Sequence, residues 1–187
     1  MASAEGEEGI ARVFREIAEA VAKSGIEVAL IGGAAVNTFE DPRYTKDLDL
    51  TVEADRVKIG RLVESLLAAG FEVTREQDAS EPSGPDFIQL RRRTTVDMVD
   101  LIVAKTEFQE LVIRRALRAP GQVLPVATVE DLVILKLIAN RPVDQRDAFL
   151  LARDNAIDWP YVERWAATWD VSDRLRALRA ILEPNSG

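Results

Sequence analysis

Two aspartates sit one residue apart in "TKDLDLTV", residues 45–52. An extended chain alternates its side chains, so Asp47 and Asp49 share one face while Leu48 and Leu50 share the other. Carboxylates about 6.6 Å apart repel by roughly 2–3 kcal/mol at an effective dielectric near 20. A hard divalent ion such as Mg²⁺ or Mn²⁺ would relieve that repulsion, because such ions prefer oxygen ligands. A solvated strand face can carry the same pair without function, so spacing alone does not decide. Upstream, the apolar run "IEVALI" (26–31) ends at Gly32-Gly33 and is followed by "AAVNTF". Paired glycines there serve a tight turn, or let a phosphate approach backbone N–H groups at the start of the next helix.

Composition narrows the chemistry further. The 187 residues include no histidine and no cysteine, which removes disulfides, the usual zinc sites and every histidine-based relay. What remains is carboxylates, lysine, arginine, hydroxyls or a bound ion. Lys and Arg number 24 against 32 Asp and Glu, a net charge of −8, so a nucleic-acid partner would need a local basic patch. The dense basic clusters are "RRR" (91–93) and "RRALR" (114–118), for which solvated faces compete with an RNA-backbone patch. The start, "MASAEGEEG", is acidic without an apolar core, and no run approaches the roughly 18 apolar residues of a membrane span. The expectation is a soluble cytoplasmic protein.

The stretch "LIGGAAVNTFEDPRYTKDLDL" (30–50) resembles the signature of the DNA polymerase β-like nucleotidyltransferase superfamily. The form "PRYTKDLDL" is similar to small bacterial members that include the AbiEii-type toxins. The resemblance implies a mixed sheet with helical cover and transfer of a nucleoside monophosphate from an NTP to an acceptor hydroxyl. It implies two divalent ions, Mg²⁺ or Mn²⁺, and a third carboxylate on a neighbouring strand. The run "TVDMVDLIV" (95–103) offers two acids on opposite faces, Asp97 with Val99 and Asp100 with Met98. By resemblance the first acid is the match, making Asp47, Asp49 and Asp97 the catalytic and metal-holding set and Asp100 structural, a choice that a bulge would reverse. Gly32, Gly33, Arg43, Thr45 and Lys136 are the expected nucleotide-binding residues, with Arg43 equally able to brace the loop before Asp47. Similar sequences carry a lysine, arginine and acid run here matched by Lys136, Arg141, Asp144 and Asp147. Lys136 otherwise reads as a lysine snorkelling from an apolar helix. The implied acceptor is the 3′ end of tRNA or another RNA, a protein hydroxyl or a small molecule. A toxin–antitoxin setting implies an antitoxin protein as partner.

These residues need a scaffold. Ile10, Val13, Phe14, Ile17 and Val21 predict a helix over 10–21, followed by strands at 26–31 and from Asp47. A helix over 55–69 stops at Gly70, and "FEVTR" (71–75) reads as a strand. The Pro- and Gly-containing 76–86 reads as a loop, and 87–92 and 95–104 as an antiparallel hairpin. Helices are expected over 106–117, 128–140, 143–154, 159–168 and 171–182, with 122–127 a candidate edge strand. The fold class is thus α+β, a mixed sheet with helical cover. Residues 1–105 form the catalytic core and 106–187 a mainly helical part packed on it. Trp159, Trp165 and Trp169 suit core packing better than base stacking. "DLDLT" also fits the opening of haloacid-dehalogenase-type phosphatases, but no apolar strand precedes Asp47. The other class of reading is a non-catalytic nucleotide- or protein-binding module on the same fold.

Overall fold

The computed structural model describes residues 2–40, 45, 47–80, 82, 84–93, 98–118 and 121–183, with 2–11 as backbone alone. The first half interleaves helices and strands: α1 (Ala2–Ser24), β1 (Glu27–Ile31), α2 (Gly32–Val36), β2 (Asp47–Glu53), α3 (Arg56–Ala68), β3 (Phe71–Gln77), β4 (Phe87–Arg92) and β5 (Met98–Val103). Helices follow: α4 (Glu107–Arg115), α5 (Val129–Ala139), α6 (Pro142–Asp154), α7 (Trp159–Thr168) and α8 (Ser172–Leu182). No described helix is long and apolar enough to cross a membrane.

Local chemistry explains most boundaries. Asp55 caps α3 by accepting from the Val57 and Lys58 amides, at 2.9 and 2.8 Å. Thr106 and Gln109 form a reciprocal capping box at the start of α4. Asn140 closes α5 in the left-handed conformation, φ 54°, and Pro142 follows at the first turn of α6. That tight turn sets α6 against α5, which matters for the charges described below.

The five strands run in the order β1-β2-β5-β4-β3. Every pairing is antiparallel except β2 with β5, so the sheet is mixed, and β4–β5 is the expected hairpin. One face buries Leu48, Leu50 and Val52 of β2 with Val99, Leu101 and Val103 of β5. The segment 122–127 contributes isolated bridges from Val126 to Leu30 and Leu117 rather than a full edge strand. A single continuous apolar core runs from Val13 in α1 to Leu178 in α8 and so joins the sheet to the C-terminal helices. Trp165 lies in it, its ring 4.9 Å from that of Phe108, with Trp169 at 6.1 Å from the same ring, as core packing requires.

Candidate active site

The parallel pairing of β2 with β5 brings the acids together. Asp49 is the register partner of Asp100, and Asp47 that of Met98. Register partners project to the same side of a sheet, so Asp47, Asp49 and Asp100 share the face opposite the core. Asp97 lies outside the described residues, as does Arg43. The register places Asp100 on the face of the acid pair, where the sequence led us to expect Asp97. The fully buried Val99 and Leu101 continue the core face of Leu48 and Leu50, which sends Asp100 to the acid face.

Crowding marks Asp49 electrostatically. Its carboxyl is pushed up to about 6, first by burial, then by the charges of Asp100 and Asp47, against the opposing pull of Lys136 and Arg141. Burial also pushes Asp100 upward, while a hydrogen bond from Gln89 Nε2 to its Oδ1, 2.9 Å, works the other way. Gly32 supplies the floor. Its φ is +67°, and a Cβ there would stand 1.8 Å from Asp49 Oδ2, so only glycine accommodates both the backbone turn and the carboxylate. The first glycine of the pair is therefore demanded by the acid itself. Gly33 is buried within α2, and Thr45 Oγ1 donates to the Asp47 carbonyl at 3.2 Å, bracing the entry to β2.

The second half of the chain adds cations. Lys136 is buried rather than snorkelling: its ammonium donates to Asp144 Oδ1 at 3.0 Å and pairs with Asp147 Oδ2 at 2.9 Å. Arg141 clasps Asp144 through Nε at 2.6 Å and Nη2 at 3.2 Å, while its side chain stays 70% exposed. Burial pulls Asp144 upward, but the bonds from Arg141 and Lys136 outweigh it and hold the carboxyl below the usual range. Asp144, Asp49 and Asp147 together push Arg141 further into its charged form. Lys136 and Arg141 thus present positive charge toward the acid face from the turn between α5 and α6.

Four of the six arginines in the two basic clusters are paired within the chain. Arg91 pairs with Glu72, and the buried Arg92 pairs with Glu16 of α1 and lies over the Phe71 ring. Arg114 pairs with Glu110, and Arg115 with Asp131 at 3.3 Å while stacking 4.1 Å from the Tyr161 ring centroid. Among the described residues the intramolecular pairs answer these four charges.

A donor set of aspartates suits a hard cation. Among the described residues no group of three or more acidic side chains stands close enough together to hold one metal ion.

The family model for the nucleotidyl transferase AbiEii toxin, of type IV toxin–antitoxin systems, matches residues 13–169, and the chain belongs to that family. Solved structures agree on the fold. The antibiotic-resistance factor ANT(2'')-Ia superposes with a TM-score of 0.51 at 16% identity, covering 89% of this chain and 87% of that one. An antigenic nucleotidyltransferase-like protein from Paracoccidioides brasiliensis gives 0.53 at 23% identity, covering 89% and 91%. The Megavirus polyadenylate synthase gives 0.52 at 13% identity, with 79% of this chain covering 33% of that larger protein. A search of curated proteins finds no match.

Proposed function

We propose that this nucleotidyltransferase moves a nucleoside monophosphate from an NTP to an acceptor hydroxyl through divalent ions held by Asp47, Asp49 and Asp100. The observation that carries the reading is the parallel register of Asp49 with Asp100, beside a glycine whose missing side chain makes room for Asp49. Divalent ions, when bound, acidify the attacking hydroxyl and offset charge on the leaving pyrophosphate.

The chain's own residues do the rest. Asp47 and Asp49 face the nucleotide side by side, and Asp100 both completes the acid set and takes the proton of the acceptor hydroxyl. Arg141, exposed and fixed by Asp144, binds triphosphate oxygens. Lys136 has two of its three donors engaged by Asp144 and Asp147, and the third serves the same phosphates. Gly32 keeps a side chain out of the space beside Asp49, and Thr45 steadies the approach to β2. Positioning and charge stabilisation supply the catalysis, so no histidine is required. Residues 1–105 carry the acids and 106–187 the phosphate-facing cations. The acceptor we favour is an RNA 3′ end, in a toxin setting with an antitoxin partner.

The test incubates the protein with each α-labelled NTP, Mg²⁺ and total bacterial RNA, beside Asp47→Ala, Asp49→Ala, Asp97→Ala and Asp100→Ala. Label should reach RNA with the wild type and with none of the Asp47, Asp49 and Asp100 variants. Retained transfer in Asp100→Ala with loss in Asp97→Ala would return the third place to Asp97. Label passing equally in the Asp47 and Asp49 variants would remove the site altogether.

A further inference from the structure

Sheet order and register align one residue from each strand in a row across the acid face: Ile31, Asp49, Asp100, Gln89 and Arg75. Gln89 sits in that row because Ile88 and Leu90 on either side of it are buried in the core. Its amide is engaged at both ends. Nε2 donates to Asp100 Oδ1 at 2.9 Å, and Oε1 accepts from Thr74 Oγ1 at 3.1 Å. An ionised carboxylate only accepts, so the amide must turn its NH₂ toward Asp100 and its oxygen toward the hydroxyl. Thr74 reaches Gln89 because the β3–β4 register breaks between Val73 and Arg75, leaving Thr74 as the additional residue. Such bulges re-aim side chains beside functional sites. The Thr74 hydroxyl also lies 3.3 Å from the Gln89 carbonyl, which ties it to β4 at two points.

We propose that Gln89 is a positioning residue for the transfer reaction: it holds Oδ1 of Asp100, is itself held by Thr74, and so leaves Oδ2 for a cation bound on the acid face. This rests on the reading of Asp100 as the third metal-holding acid. An aspartate on an open sheet face turns about two side-chain torsions, whereas a working site needs its ligands held to within about 0.5 Å. Gln89 removes that freedom through one oxygen and leaves the other for the ion. Arg75, next in the row with its guanidinium 5.6 Å from the Phe87 ring centroid, acts on Asp100 through its charge, while the side-chain hydrogen bond to Asp100 comes from the Gln89 amide.

The test is a calorimetric titration of the full chain with Mn²⁺, using wild type, Gln89→Leu, Thr74→Val, Asp100→Ala and the Gln89→Leu/Asp100→Ala double variant. Gln89→Leu should weaken Mn²⁺ binding by about 10- to 100-fold, and Thr74→Val by a smaller factor of about threefold. The double variant should bind no more weakly than Asp100→Ala, because the amide acts through that carboxylate. In transfer assays Gln89→Leu should lower kcat while the KM for the NTP stays within about twofold of wild type. Thr74→Val carries the test if Gln89→Leu fails to fold. Wild-type Mn²⁺ affinity in both Gln89→Leu and Thr74→Val, beside weakened binding in Asp100→Ala, would overturn the positioning role and leave the proposed function standing. Unchanged Mn²⁺ affinity in Asp100→Ala would instead remove Asp100 from the site and this inference with it.

Discussion

Asp49 and Asp131 are both aspartates whose carboxyls burial pushes above their ordinary value, yet their surroundings are opposite. Asp131, at the start of α5, is fully buried and its carboxylate is surrounded by donors: the Tyr161 hydroxyl, the Thr128 hydroxyl and Arg115. Those bonds oppose the burial effect and knit α4, α5 and α7 together. Asp49 has carboxylates for neighbours, and Asp47 and Asp100 add to the burial effect. One acid is answered by hydrogen-bond donors; the other meets its cations, Lys136 and Arg141, only through their charge. Burial of an acid is therefore no mark of function by itself; what separates the two is the sign of the company each keeps.

The sharpest way to break this contrast is paired removal. Asp49→Ala should cut nucleotidyl transfer by about 10³-fold or more, about 4 kcal/mol in barrier terms, with the fold intact by circular dichroism. Asp131→Ala should do the converse: a loss of about 2–4 kcal/mol in urea unfolding, with activity per folded molecule close to wild type. A collapse of activity without loss of stability in Asp131→Ala would show that the two acids are not different in kind.

The pH dependence of stability sharpens the comparison. A folded-state value near 6, above the ordinary 3.8, means that the native protein holds the Asp49 proton more tightly than the unfolded chain does. This group's contribution is therefore fully favourable below about pH 4 and is lost as pH rises through about 6. In metal-free buffer Asp49→Asn should accordingly be more stable than wild type at pH 7.5, by about 1–3 kcal/mol, with the difference shrinking toward pH 4. Thermal melts across that range check it, and a constant offset at every pH would contradict the crowding of Asp49. The smallest expected effect is Tyr161→Phe, which takes one donor from Asp131 and should cost about 1–2 kcal/mol in the same unfolding assay without changing transfer.

Much of this was readable before any coordinates. The alternation of Asp47 and Asp49 with Leu48 and Leu50, the Gly32 turn and the helical spacing after Thr106 each rest on local periodicity, and the structure follows them closely. The face of Asp100 is harder to read, because either acid of the run 95–103 can join the pair on sequence alone. The apolar set Val99, Leu101 and Val103 decides that face, since it repeats the pattern of Leu48, Leu50 and Val52 that buries β2. Gln89 was not readable at all: its meaning depends on the β4–β5 register and on a one-residue bulge at Thr74, neither of which leaves a local trace. Lys136 lay between. Its place on an apolar helix was plain, but its two acid partners arrive from the next helix through the left-handed turn at Asn140.

The parallel pairing of β2 with β5 has a consequence during synthesis. Adjacent antiparallel strands can join as soon as both are made, but β2 waits for its partner until β3 and β4 have been translated and have returned the chain to the same edge. The cations from α5 and α6 emerge later still. A chain interrupted between β5 and α5 would carry the described acids without Lys136, Asp144 and Asp147, whose ion pairs form only once α6 has emerged.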